Sequence, residues 1–110
     1  MPDEIVTSIR EELQRSADAR TRTGFHRFFR EEVICYGVKT PVVREIARSY
    51  FRKLGQKEKR AIFSLCEELL KSDYCEDAYI AFDWAYRLRG AYEPGDLLVF
   101  EAWLTKYVNN

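Results

Sequence analysis

An all-α fold built from antiparallel helix pairs is predicted by three observations. Apolar residues recur at three- and four-residue spacing along most of the chain, no stretch alternates with period two, and Gly, Pro or Ser-Asp steps separate the periodic segments. The periodic pieces are roughly ten to sixteen residues long with short connections, so neighbouring helices must run back along one another. The 110 residues are 46% apolar and 15% aromatic, enough to fill one core, and residues 1–110 read as a single domain.

The first helix opens at Pro2 or Asp3 and ends near Ser16, with Ile5, Val6, Ile9 and Leu13 sharing a face. A second, from about Ala19 to Arg30, carries Phe25, Phe28 and Phe29, although Thr21, Thr23 and Gly24 make its first half a poor helix former. Tyr36, Gly37, Val38 and Lys39 then form a turn. Thr40 is placed to cap the third helix through its hydroxyl, and Pro41 suits a first helical position, where no N–H is required. In that helix Val43, Ile46, Ala47, Tyr50, Phe51 and Leu54 point to a core, while Arg44, Arg48 and Arg52 recur four apart on another face. Gly55 reads as its C-cap. A fourth helix, about Lys57 to Lys71, buries Ile62, Leu65, Cys66, Leu69 and Leu70, and Ser72 and Asp73 break it. A fifth, about Tyr74 to Arg89, lines up Ala78, Ala81, Phe82, Ala85 and Leu88 before Gly90 ends it. After the turn Glu93-Pro94-Gly95-Asp96, a sixth helix carries Leu97, Phe100, Leu104 and Val108 inward.

Charge sums to zero but is segregated. Residues 37–61 hold eight Lys or Arg against two acids, a net +6, whereas residues 62–110 hold four against nine, a net −5. A local basic patch of this kind is what electrostatic recognition of a polyanion requires. Other classes lose their footing. No run of 18 apolar residues is present and the start MPDEIV has no signal-peptide pattern, so a cytoplasmic setting is the default expectation. Cys35, Cys66 and Cys75 lack CxxC spacing and read as reduced, structural thiols. His26, the one histidine, has neither ligand partners nor a nucleophile at useful spacing, so no metal site, cofactor or catalytic triad is expected. The paired acids Glu11-Glu12, Glu31-Glu32 and Glu67-Glu68 read as solvated charge, since adjacent helical residues point in different directions. Asp77 and Asp83, near apolar residues of the fifth helix, are the acids that burial could adapt to catalysis, but their spacing selects neither.

The aromatic pair Phe28-Phe29, the turn YGVKTP at 36–41, the following VVREIARSYF, and later LCEELLKSDYCEDAYIAF and FEAWLTKYVNN together resemble the DNA alkylation repair family, the AlkD-like HEAT-repeat DNA glycosylases. The resemblance spans roughly residues 15 to 110, and its most specific part is YGVKTP followed by Arg44. It implies a HEAT-like α-α superhelix, with residues 1–110 the N-terminal part of a longer architecture. It also implies hydrolysis of the N-glycosidic bond of N3- or N7-alkylated purines in duplex DNA. Such bases are already cationic leaving groups, so the enzyme has mainly to stabilise charge developing on the sugar and to position water. In the family a segment like FEAWLTKYVNN runs into a tryptophan followed four residues later by an aspartate. Here the chain reaches Asn110 where that tryptophan would come next, so it is expected to bind DNA and to be inactive alone.

The resemblance assigns phosphate contacts to Lys39, Thr40, Arg44 and Arg48, and places Phe28 near the lesion; Phe29 reads as core. Arg suits the task because its fork can grip phosphate oxygens bidentately, and a helix start adds N–H donors of the right sign. Trp84 and Trp103 read as packing residues. The alternative is a non-catalytic helical scaffold that binds protein, through the acidic C-terminal half and any exposed Tyr74, Tyr92 or Trp103. Self-association through the last helix is a further expectation, with Phe100, Trp103 or Tyr107 partly exposed or covered by a second copy.

Overall fold

A computed structural model describes residues 2–28, 34–54 and 58–107, and among these there are six α-helices, one 3-10 turn and no strand. The helices are α1 (Pro2–Arg15), α2 (Ala19–Phe28), α3 (Thr40–Lys53), α4 (Lys59–Leu70), α5 (Cys75–Arg87) and α6 (Asp96–Tyr107), with the 3-10 turn at Arg89–Ala91. None is long and apolar enough to cross a membrane.

The α4–α5 hairpin is the centre of the molecule. Asp73 takes a left-handed conformation at φ 66°, which a short polar side chain tolerates, and this reverses the chain between the two helices. The Ser72 hydroxyl accepts the Tyr74 N–H at 3.2 Å and donates to Asp77 Oδ2 at 2.7 Å, fixing the start of α5. Midway along the pair, the Cys66 thiol donates to the Ala81 carbonyl at 3.2 Å, a close approach that the small alanine permits.

Around this hairpin, α3 packs on α5 and α1 lies across both α3 and α4. The inward residues follow the helical period: Val6, Ile9 and Leu13 from α1; Val43, Ile46, Ala47, Tyr50 and Phe51 from α3; Ile62, Leu65, Cys66 and Leu69 from α4; Ile80, Ala81, Trp84 and Ala85 from α5. Trp84 is fully buried, and its indole N–H donates to the Ala47 carbonyl at 2.8 Å, joining α5 to α3. Arg10 reaches from α1 to Asp77 at 3.0 Å and to the Glu68 carbonyl at 2.9 Å, so one side chain ties α1 to both arms of the hairpin.

Helix α6 packs on α4 around an aromatic cluster. Trp103 lies edge-on to Phe63 at 5.6 Å, Phe100 at 5.5 Å and Phe82 at 6.2 Å. It is only 2% exposed, which corrects its expectation as a possible exposed contact: three aromatic rings, one each from α4, α5 and α6, enclose it. Phe100 is partly exposed as expected, while the Tyr107 side chain lies outside the described part. Lys59 holds the start of α6 through Asp96 at 3.0 Å and the Ala91 carbonyl at 3.1 Å.

Two boundary expectations need correction. Thr40 is the first residue of α3 rather than its cap; Lys39 occupies the cap position and no side chain there bonds to the helix. Helices α4 and α5 are each shorter than expected: the Lys71–Tyr74 connection takes one residue from each, Glu58 is the cap residue at the start of α4, and at the end of α5 Leu88 becomes the cap and Arg89 enters the 3-10 turn. Gly55, Phe29 and Val108 lie outside the described residues, as does the side chain of Phe28, whose backbone ends α2.

Candidate nucleic-acid interface

The turn that launches α3 is held from inside by a residue on α5. Glu76 is 2% exposed, and its carboxylate accepts three consecutive backbone N–H groups: Tyr36 at 3.0 Å on Oε1, with Gly37 at 2.9 Å and Val38 at 3.0 Å on Oε2. Three charge-assisted bonds and a place in the first turn of α5, where the helix dipole favours an anion, compensate a carboxylate removed from water. Gly37 sits at φ +92°, and a Cβ there would lie 2.6 Å from Arg22 Cβ and 2.7 Å from the Asp18 carbonyl oxygen. Only glycine fits. Its own carbonyl accepts the Asp18 N–H at 2.8 Å, which docks the start of α2 against the turn. Tyr36 stacks on Tyr74, rings 4.1 Å apart and 9° from parallel, closing the other side.

With the turn fixed, the cationic residues of α3 project from a rigid base. Lys39, Thr40, Arg44 and Arg48 are all exposed, and Arg44 and Arg48 stand one turn apart on a face that borders the buried one. Arg44 Nε points to the Tyr79 hydroxyl of α5 at 3.4 Å, a long contact that leaves the rest of its fork turned to solvent. Arg48 is committed differently. One of its terminal nitrogens reaches both Glu45 oxygens, at 2.9 and 2.7 Å, and holds that carboxyl below the usual carboxylate range. Tyr79 and the Asp83–Arg87 pair, 2.7 Å apart, border Arg44 from α5.

Neither acid singled out in the sequence stands unpaired. Asp83 is bound by Arg87, and Asp77 is fully buried between Ser72 and Arg10, while its Oδ1 accepts no hydrogen bond among the described residues. Burial raises the Asp77 carboxyl above its ordinary 3.8, against the lowering effects of Ser72 and Arg10. A raised folded-state pKa means that the native state binds the proton more tightly than the unfolded chain. Stability from this group is therefore full below the unfolded value and is lost as pH rises through the folded one. Asp77→Asn keeps the shape and does not titrate. Its stability relative to wild type should rise as pH climbs from about 4 towards neutrality, measured by urea unfolding at a series of pH values. A gap independent of pH would refute the assignment.

The three cysteines divide into two settings. Cys66 is buried in the hairpin, where burial pushes its thiol up to about 12. Cys35 and Cys75 meet beside Glu76, and burial first, then the Glu76 charge, raises both. Neither Glu76 nor this thiol pair stands out in the sequence. The available signal is physical: three successive N–H groups in a tight, buried turn require an acceptor. Which acid supplies it, some 40 positions later, is set only by packing.

Compared with known proteins, the chain matches over residues 9–110 the family model described as DNA alkylation repair enzyme. No curated protein and no solved structure matches it.

Proposed function

The chain belongs to the DNA alkylation repair enzyme family, and we propose that its part in that work is to grip the phosphate backbone of duplex DNA carrying alkylated purines through Lys39, Thr40, Arg44 and Arg48. The observation that carries this reading is the exposed cationic face of α3, mounted on a turn that Glu76 fixes in place. The Lys39 ammonium and the Thr40 N–H supply donors at the helix start, Pro41 having no N–H and those of Val42 and Val43 being bonded to the Lys39 carbonyl, and Arg44 and Arg48 extend the row by one turn each. Phe28 enters this proposal through the family resemblance as a residue near the lesion. The glycosidic hydrolysis that the resemblance implies needs a carboxylate against the sugar, and Asp77 and Asp83 are engaged by Arg10 and Arg87. Backbone binding without turnover is the role these residues support.

The four residues are not equivalent. Arg48 must exchange Glu45 for phosphate, whereas Arg44 gives up one long contact to a phenol. Arg44→Ala should therefore weaken binding more than Arg48→Ala, and Glu45→Gln should strengthen it. The double variant should weaken binding on all sequences alike. The slope of log affinity against log salt should fall by about 0.9 for each phosphate the protein no longer neutralises, read by fluorescence anisotropy with a labelled duplex. An unchanged affinity and slope in the double variant would leave α3 as a solvated face. The exposed Leu97 and Leu98 of α6 would then favour the protein-binding scaffold instead. Release of methylated base by this chain above a buffer control would instead make Asp83, beside Arg44, the acid to replace.

A further inference from the structure

Cys35, Cys75 and Glu76 come together where the 34–39 loop meets the first turn of α5. The two Sγ atoms and a carboxylate oxygen all lie within 4.8 Å of one another. Loop and helix are joined there by the Cys75 N–H, which donates to the Ile34 carbonyl at 2.9 Å, and the Cys75 thiol donates to Glu76 Oε1 at 3.4 Å. Cys35 and Glu76 are buried, while Cys75 is partly open to solvent, which leaves a way in.

We propose that these three residues form a binding site for a thiophilic divalent cation of the zinc class, held by the Cys35 and Cys75 thiolates and Glu76 Oε1. The ligand set is that of a borderline-soft ion, two sulfurs and one carboxylate, with a further position for water on the Cys75 side. Charge balances without new burial. Two thiols and a carboxylate carry −1; binding releases both thiol protons to solvent and brings in a dication, and two thiolates, one carboxylate and the ion again sum to −1. The proton that Cys75 directs at Oε1 marks the lone pair the ion would take.

The surroundings are those of a supported site. Glu76 is oriented by the N–H groups of Tyr36, Gly37 and Val38, so its carboxylate cannot rotate away. Tyr36 and Tyr74, each next in sequence to a ligating cysteine, stack against one another beside it. Bound metal would clip the 34–39 loop to α5. This site stands independently of the DNA-binding reading and is read without DNA.

Cobalt(II) titration of the reduced full chain tests it. A sulfur-to-cobalt charge-transfer band should grow and saturate at one ion per chain, with two protons released per ion, and zinc should displace the cobalt. Cys35→Ser and Cys75→Ser should each abolish the band, and Cys66→Ser, altered at the distant buried thiol, should keep it. Should either serine variant fail to fold, the wild type decides alone: zinc must protect Cys35 and Cys75 from alkylation, mapped by mass. The absence of a band in wild type, a band surviving in the double serine variant, or alkylation of both thiols unaffected by zinc would each overturn the proposal.

Discussion

Replacing Glu76 with alanine is expected to lower the unfolding free energy by about 3 kcal/mol or more, since each buried donor left without an acceptor costs about 1–3 kcal/mol. Three donors lose their partner together: the N–H groups of Tyr36, Gly37 and Val38. Water entering the space left by the side chain recovers part of the loss, so the three costs do not simply add. Glutamine discriminates the causes. Its carbonyl oxygen can stay on Gly37 and Val38, while its amide group turns a donor towards the Tyr36 N–H. Glu76→Gln should fall between wild type and Glu76→Ala, as denaturant midpoints with the same m-value would show. If both variants stayed within about 0.5 kcal/mol of wild type, as surface changes do, Glu76 would not be what holds the turn.

The same residue marks the boundary of what is legible in the sequence. Helical periodicity makes α3 readable almost to its ends, because Val43, Ile46, Ala47, Tyr50 and Phe51 follow a local geometric rule and are the residues buried. The basic face beside them is readable for the same reason. What escapes is everything decided between distant segments. Glu76 looks like one acid among many, and the encounter of Cys35 with Cys75 has no spacing to announce it. Thr40 fits a local capping preference, yet Lys39 takes the cap position with no side-chain bond, and its carbonyl accepts the Val42 and Val43 N–H groups. Trp103, adjacent to the apolar Leu104, reads as a core or ridge packing residue, and the structure selects the core; which rings enclose it, from α4, α5 and α6, is again set between segments. The apolar neighbours of Asp77 do signal its burial, but its partner Arg10 lies 67 residues away, and that pairing turns the acid from chemistry to architecture.

Trp84→Ala should be the other large loss, about 3–5 kcal/mol, as for large aromatic residues removed from a core. Trp84 is fully buried, lies 6.2 Å from Phe51 ring to ring, and donates to the Ala47 carbonyl, so α3 is held to α5 both by its packing and by its polar edge. Trp84→Phe separates the two contributions. It keeps much of the apolar packing and removes the 2.8 Å bond, worth about 0.5–1.5 kcal/mol, along with the volume of the second ring. In a domain stable by about 5–15 kcal/mol the alanine variant uses up a large part of the margin. Its melting temperature should fall by about 12 °C or more, since one kcal/mol moves a domain of this size by about 4–8 °C. The exposed cationic residues of α3 do not touch Trp84, so if they bind phosphate as proposed, then at a temperature where Trp84→Phe remains folded its salt slope for DNA should equal that of wild type. Stability reduced with the slope intact would separate the support of the helix from its cationic face. Equal stability of the phenylalanine and alanine variants would mean that the indole's packing does not hold α3 in place.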